Sequence, residues 1–292
     1  MAQRILIVGC GDLGTRAARL LAAPQPSEAS EGAASAEVWG LRRHPPIDRP
    51  AQPGDPIWIA ADIGDPATLA ALPSGITQLV FCQTPGGRTP EAYARAFLDG
   101  PRNILNALDR TALERIVFVS SSAVYGEHAG AWIDETTPTG PLGFNGRILC
   151  EAEASLWTQF PATVVLRLAG LYGPGRTQLL DRLRRGEAHV PPASPPQWAN
   201  RMHIDDAAAA CAHLLTLAAP DALYLGADDT PLPLDILYRD LAHALGAPEP
   251  ALGDPPKGVG SKRMRNARLR QSGFVPRWPD AREGYRVLIA PT

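Results

Sequence analysis

Short apolar runs alternate along this chain with longer stretches whose apolar residues recur every three or four positions, the pattern of strands joined by amphipathic helices. The runs at 5–8, 38–41, 57–61, 78–83, 115–120, 163–168 and 223–225 predict strands. Between them the helical period predicts a first helix with Leu13, Ala17, Leu20 and Leu21 on its apolar side, a short helix over 65–72, a long one over 90–109 and another over 146–159. Stretches 202–219, 234–245 and 280–289 also read as helices. This alternation predicts an α/β fold with a doubly wound parallel sheet of the Rossmann type. Residues 24–37, polar, small and rich in breakers, predict a mobile surface insertion. Proline-rich 173–196 predicts a departure from the sheet.

The first strand runs directly into Gly9, Gly11 and Gly14, spaced G-x-G-x-x-G, and then into the first helix. Each glycine has a steric role in a dinucleotide site: Gly9 makes the sharp turn, Gly11 lets a pyrophosphate approach the backbone, and Gly14 lets helix pack on strand. Amide groups around Asp12 and Leu13 open the helix, where free N–H groups and the positive end of the helix dipole favour phosphate. The alternative is an ordinary turn between strand and helix. At the end of the second strand stand Arg42 and Arg43 with no carboxylate, which favours NADP and leaves NAD open. Asp62, with the Ile63 backbone, is placed to meet the adenine edge, or else caps the short helix that follows. Gln83, closing the fourth strand, completes the expected cofactor set.

The net charge is −2, so no basic surface argues for nucleic acid or membrane as partner. Cys10, Cys82, Cys150 and Cys211 are scattered and suggest neither a disulfide framework nor a metal site. No apolar run approaches the ~18 residues that span a bilayer, and the chain enters its first strand without a leader; a soluble cytoplasmic protein is the expectation.

VGCGDLG at 8–14, ADIGD at 61–65, VSSSAVYG at 119–126, RLAGLYGPGR at 167–176, NRMHIDD at 200–206 and the closing KRMRNARL and VPRWPDAREG together resemble the extended short-chain dehydrogenase/reductase superfamily, the epimerase and dehydratase kind, and within it the atypical members. The resemblance implies a cofactor domain over 1–172, to which 202–226 returns, and a smaller, partly interleaved substrate lobe over 173–292. It also implies a catalytic Tyr-x-x-x-Lys pair beyond a serine at Ser121, in which lysine lowers the pKa of the tyrosine that exchanges a proton with substrate. Here Asn145 and Leu149 occupy those two positions, and no Tyr-x-x-x-Lys occurs anywhere in the chain. Neither side chain can titrate.

Substitutes are Tyr125, Arg147 and His203. Tyr125 reads as a structural or a catalytic phenol, Arg147 as an anion site or a partner of Glu151 one turn on, and His203 as an acid–base group or a packed histidine. Arg176, Arg201 and Arg263 are the candidate contacts for a diphosphate or carboxylate, with Trp198, Pro195 and Pro196 as an apolar rim. The leading expectation is an NADP-dependent oxidoreductase or epimerase-like enzyme acting on a small molecule, a nucleotide sugar by default. The competing one is a non-catalytic NADP-binding sensor or regulatory protein. The sequence leaves monomer and homodimer open.

Overall fold

The computed structural model describes residues 3–23, 36–46, 50–256 and 258–290. The insertion expected over 24–37 lies outside the described residues except for its last two positions. Five parallel strands are laid down first: β1 (Arg4–Val8), β2 (Glu37–Arg42), β3 (Ile57–Ala60), β4 (Gln78–Phe81) and β5 (Arg115–Ser121). They lie side by side in the order β5-β4-β1-β2-β3, each neighbouring pair in parallel register. Strands Thr163–Leu168 and then Leu223–Gly226 extend the sheet past β5 to seven. Ile5, Leu6, Ile7 and Val8 are all fully buried, as a parallel strand covered on both faces requires.

The chain forms two compact units. The first comprises Met1–Ser120, Ile148–Leu166 and Ala208–Ala222; the second comprises Ser121–Arg147, Arg167–Ala207 and Leu223–Thr292. In the first unit, α1 (Asp12–Ala22) buries Leu13, Gly14, Ala17, Ala18 and Leu21. Leu20, expected on that side, is 43% exposed instead, because the buried stripe runs through Ala17, Ala18 and Leu21.

The long helix expected over 90–109 is broken in register. It consists of α2 (Pro90–Ala94), a π-helical turn Arg95–Asp99 and α3 (Gly100–Ala107). Pro101 is the cause: it has no N–H to donate and its ring crowds the carbonyl one turn back, so the backbone takes in an extra residue and Gly100 N–H bonds to the Arg95 carbonyl. Likewise the helix expected over 65–72 is a single 3-10 turn, Pro66–Leu69, and Asp65 rather than Asp62 caps it, accepting from Ala67 N–H at 3.1 Å.

Next come α4 (Phe144–Gln159), α5 (Gln178–Arg184), α6 (Ile204–Thr216), α7 (Leu234–Leu245), α8 (Ala267–Gln271) and α9 (Ala281–Ile289). Stretch 173–196, expected to be loop, contains α5, whose Leu180 and Leu183 enter the core of the second unit with Leu237, Leu241 and Tyr285. The helix expected from 202 begins at Ile204, because Arg201–His203 pairs in parallel with Gly170–Tyr172 and is drawn into a strand. Asp206 does not serve its own helix start. It accepts the backbone N–H groups of Arg277 at 2.8 Å and Trp278 at 2.9 Å, fastening that loop. Among the described residues no helix is long and apolar enough to cross a membrane.

The glycine at 14 is a packing residue. A Cβ there would stand 3.0 Å from Cys82 Sγ, 3.0 Å from Ile7 Cγ2 and 3.3 Å from Cys10 Sγ. Gly14→Val is therefore expected to cost about 1–3 kcal/mol through overpacking between α1 and β1, read as a lower midpoint in urea denaturation.

Candidate functional site

In the first unit the turn after β1 is pinned to the end of β2: Gly9 N–H and Cys10 N–H both donate to the Leu41 carbonyl, at 3.0 and 2.9 Å. Gly9 has φ +75°, and any Cβ there would lie 2.2 Å from Gln83 Cα, so only glycine fits. Gly11 is different. A Cβ at 11 would meet nothing nearer than the Gly9 carbonyl oxygen at 3.8 Å, which leaves bare backbone facing open space.

Helix α1 starts there with no side-chain cap. Asp12 turns aside to Arg16, 2.8 Å away, and leaves the first-turn amides to whatever sits in front of them. An uncapped helix start beside bare backbone is a ready anion site.

A cavity of about 430 Å³ opens at this point. Of the ten expected cofactor residues, Gly9, Gly11, Arg42, Arg43, Asp62, Ile63 and Gln83 line it; Asp12, Leu13 and Gly14 do not. Among the described residues neither the Arg42 nor the Arg43 side chain has a hydrogen-bond or ion-pair partner. Arg43 reaches toward Gly86, whose Cβ position would be 3.9 Å from Arg43 Nη1.

Asp62 is already engaged, Oδ1 accepting from Gly64 N–H at 2.8 Å and Oδ2 from Arg95 Nη2 at 3.0 Å. The Ile63 carbonyl accepts from Asn103 at 2.9 Å. Gln83 is 7% exposed, its Nε2 donates to the Ala96 carbonyl at 3.0 Å, and its Oε1 is buried with no partner. An orphaned acceptor in the wall of a cavity costs free energy unless something donates to it.

Sequence reasoning missed His44, Thr84, Gly86, Ala92, Arg95 and Ala96 as lining residues. His44 directly follows the arginine pair. Arg95 has no local signal, since it lies on an exposed helical surface and its partner Asp62 is thirty-three residues away in the chain.

Beneath the turn lie three buried thiols, Cys10, Cys82 and Cys211. Burial raises all three, Cys10 and Cys211 to about 12, so they are neutral packing groups.

The candidates in the second unit are mostly committed to structure. Tyr125 is buried; its hydroxyl accepts from Arg167 Nη1 at 2.7 Å and donates to the Asp134 carbonyl at 3.2 Å. Ser121 accepts from Ala123 N–H at 3.2 Å, capping a short 3-10 turn. Asn145 is half-buried at the start of α4, and Leu149 belongs to the core at 3% exposure. Arg147 is exposed, and the ion pair with Glu151 is not made.

Arg176 is half-buried in the loop before α5, its backbone N–H bonded to the Gly173 carbonyl at 2.9 Å. His203 is buried between the Tyr172 and Trp278 rings, at 5.1 and 5.3 Å, and its Nδ1 accepts from Asp205 N–H at 3.2 Å. Arg263 donates through Nε to the Gly130 carbonyl and lies between the Trp132 and Trp198 rings, 4.9 and 4.7 Å from their centroids.

A parallel sheet whose first turn is a bare glycine corner, with unpaired arginines closing the second strand, is the arrangement of a nucleotide-binding Rossmann protein. The sequence profile of the NAD dependent epimerase/dehydratase family matches residues 5–226, and this chain belongs to that family. It is similar over 99% of its length, at 37% identity and a TM-score of 0.78, to 98% of a Methylobacillus flagellatus protein described as belonging to the NAD-dependent epimerase/dehydratase class. It is 29% identical to Protein YeeZ of Escherichia coli K12 over 189 residues, covering 63% of this chain and 66% of that one, just under two thirds of the relative. A Thermus thermophilus UDP-glucose 4-epimerase, solved in complex with NAD, shares the fold at 20% identity, a TM-score of 0.75 and 98% coverage of both chains.

Arg201 is part of a buried polar cluster in the second unit. Arg201 Nε, Tyr172 Oη, Asp228 Oδ2 and Trp278 Nε1 are all buried without a partner. Burial pushes the Asp228 carboxyl up to about 8 and raises the Tyr172 phenol, against a smaller opposing pull of Arg201 on Asp228. An acid whose folded value lies above its unfolded 3.8 binds a proton more tightly when folded, so its stabilising contribution is present in acid and is lost as pH rises toward about 8. Asp228→Asn is expected to remove that loss, flattening the fall in unfolding free energy between about pH 4 and 8 by up to about 1.4 kcal/mol per pH unit. Urea melts across that range check it.

Proposed function

We propose that this chain binds a nicotinamide dinucleotide in the cavity of the first unit, prefers NADP to NAD, and acts as an oxidoreductase or epimerase-like enzyme on a small molecule, a nucleotide sugar by default. One observation carries the reading: the uncapped start of α1 faces open space beside bare Gly11, with the unpartnered cations Arg42 and Arg43 on the same cavity wall. The α1 amides and the Gly11 backbone would hold the paired phosphates. The two guanidiniums would grip a 2′-phosphate, and Gln83 Oε1 would accept from a donor on the ligand. When bound, the cofactor supplies hydride exchange at its nicotinamide ring. The family description and the NAD held by the Thermus thermophilus relative support the cofactor class; the arginines support NADP in particular.

A second reading, a non-catalytic NADP-binding sensor or regulatory protein, is favoured by the second half of the site. The tyrosine and lysine positions hold Asn145 and buried Leu149, and Tyr125, the nearest substitute phenol, has its hydroxyl engaged at both lone pair and proton. NADPH oxidation over a panel of carbonyl compounds and nucleotide sugars separates the two. Turnover supports the enzyme, and stoichiometric NADPH binding with none supports the sensor. Tyr125→Phe strands a donor of buried Arg167 and is expected to cost about 1–3 kcal/mol of stability, so its turnover must be read where the variant is still folded.

Gly11→Val should abolish dinucleotide binding in calorimetry while leaving the urea midpoint close to wild type, since its side chain grows into the cavity and not into the protein. Replacing Arg42 and Arg43 together with alanine should lower the NADPH over NADH affinity ratio by about tenfold or more, the scale of one charge-assisted phosphate contact. An unchanged ratio would make the two arginines bystanders.

A further inference from the structure

Gln83 takes its hydrogen bond from a helix carbonyl that helical geometry should have closed. Its backbone is pressed against the Gly9 turn, its Nε2 donates to the Ala96 carbonyl at 3.0 Å, and its Oε1 is buried without a partner in the cavity wall. A carbonyl inside an α-helix accepts from the amide four residues on, which leaves nothing for a side chain. Pro101 and the π-helical turn Arg95–Asp99 undo that pairing at Ala96.

The amide four residues beyond Ala96 is the Gly100 N–H, and it bonds instead to the Arg95 carbonyl, five residues back. The next amide along would be that of Pro101, which has no N–H. The Ala96 carbonyl is thereby left without a donor in its own helix, and Gln83 Nε2 supplies one. The turn is seated against its surroundings. Phe97 meets the Phe118 ring edge-on at 6.3 Å, a Cβ at Gly100 would lie 2.5 Å from Ile63 Cδ1, and a Cβ at Gly64 would lie 2.1 Å from Nε of Arg95, which passes over it.

That bond decides which end of the amide is left over. Turned the other way, Oε1 would stand against the Ala96 carbonyl oxygen, acceptor against acceptor, so Nε2 stays on the helix and Oε1 remains unspent. We propose that the π turn is a positioning device for the nucleotide site: Pro101 frees the Ala96 carbonyl to hold Gln83 Nε2, Oε1 becomes the group offered to the ligand, and the site demands an O–H or N–H donor there. This rests on the dinucleotide reading above. Pro101 acts only through Gln83.

The test is calorimetric titration of the full chain with NADPH in wild type, Gln83→Met, Pro101→Ala and the double variant. Gln83→Met keeps the length of the side chain and removes the acceptor, and should weaken NADPH about threefold to tenfold, the scale of one neutral hydrogen bond. Pro101→Ala gives residue 101 an N–H that can close the Ala96 carbonyl within the helix, so Gln83 loses its hold and NADPH should weaken by up to the same factor. The double variant should bind no more weakly than Gln83→Met alone, because without the amide the turn has nothing to orient. General damage to the fold would add instead. ADP-ribose, titrated into wild type and Gln83→Met, locates the donor: a matching loss puts it on the portion shared with NADPH, and a loss seen only with NADPH puts it on the nicotinamide.

If either single variant binds NADPH as wild type does, or the two losses add in the double variant, the positioning role is overturned while dinucleotide binding stands. A wild-type chain that takes up neither NADPH nor NADH overturns the proposed function itself.

Discussion

Everything at the candidate site depends on one omission: among the described residues no side chain caps the start of α1. Asp12 pairs with Arg16 and Thr15 turns its hydroxyl back to the Gly11 carbonyl, so neither side chain covers the helix start. The surrounding structure keeps that opening in place. Gly9 and Cys10 are tied to Leu41, Gly9 presses against Gln83, and Gly14 sits among Ile7, Cys10 and Cys82 with no room to spare. A rigid frame around an unsatisfied backbone is pre-organisation for an anion, and the adjoining arginines extend it to a second one.

The chemistry of the two units is asymmetric. In the first, polar groups are left unsatisfied and face a cavity. In the second, most candidate groups are satisfied inside the protein: Tyr125 by Arg167 and Asp134, Ser121 by its own turn, His203 by Asp205 and two rings. Residues that match a family's motif in position are here also tied into the fold. The absence of an ionisable side chain at 145 and 149 fits that division.

Much of the sheet was legible because a buried parallel strand leaves a continuous apolar run, as at 5–8 or 164–166, and the runs here are too short and too regularly spaced for helices. The glycine corner was legible for a steric reason that acts within a few residues. Three kinds of feature were not. The π turn at Arg95–Asp99 follows from Pro101, which breaks a pattern that periodicity alone reads as one helix. The strand Arg201–His203 exists because Gly170–Tyr172 pairs with it, a partner thirty residues away. Arg95 over Gly64 joins two surface positions that carry no mark of each other, and only tertiary contact reveals the pair.

The alternation of the chain between the two units has a consequence for how the molecule is made. Neither unit is encoded by a contiguous stretch, since the first is completed only by residues 148–166 and 208–222. The nucleotide corner near Gly9 is separated by about two hundred residues of chain from the last segment of its own unit, residues 208–222. Such long-range closure slows folding and leaves apolar strand surface exposed in nascent chains. It also means that the two halves cannot be exchanged between relatives by a single crossover in the gene; a chimera would need several joints, each placed where the path passes from one unit to the other.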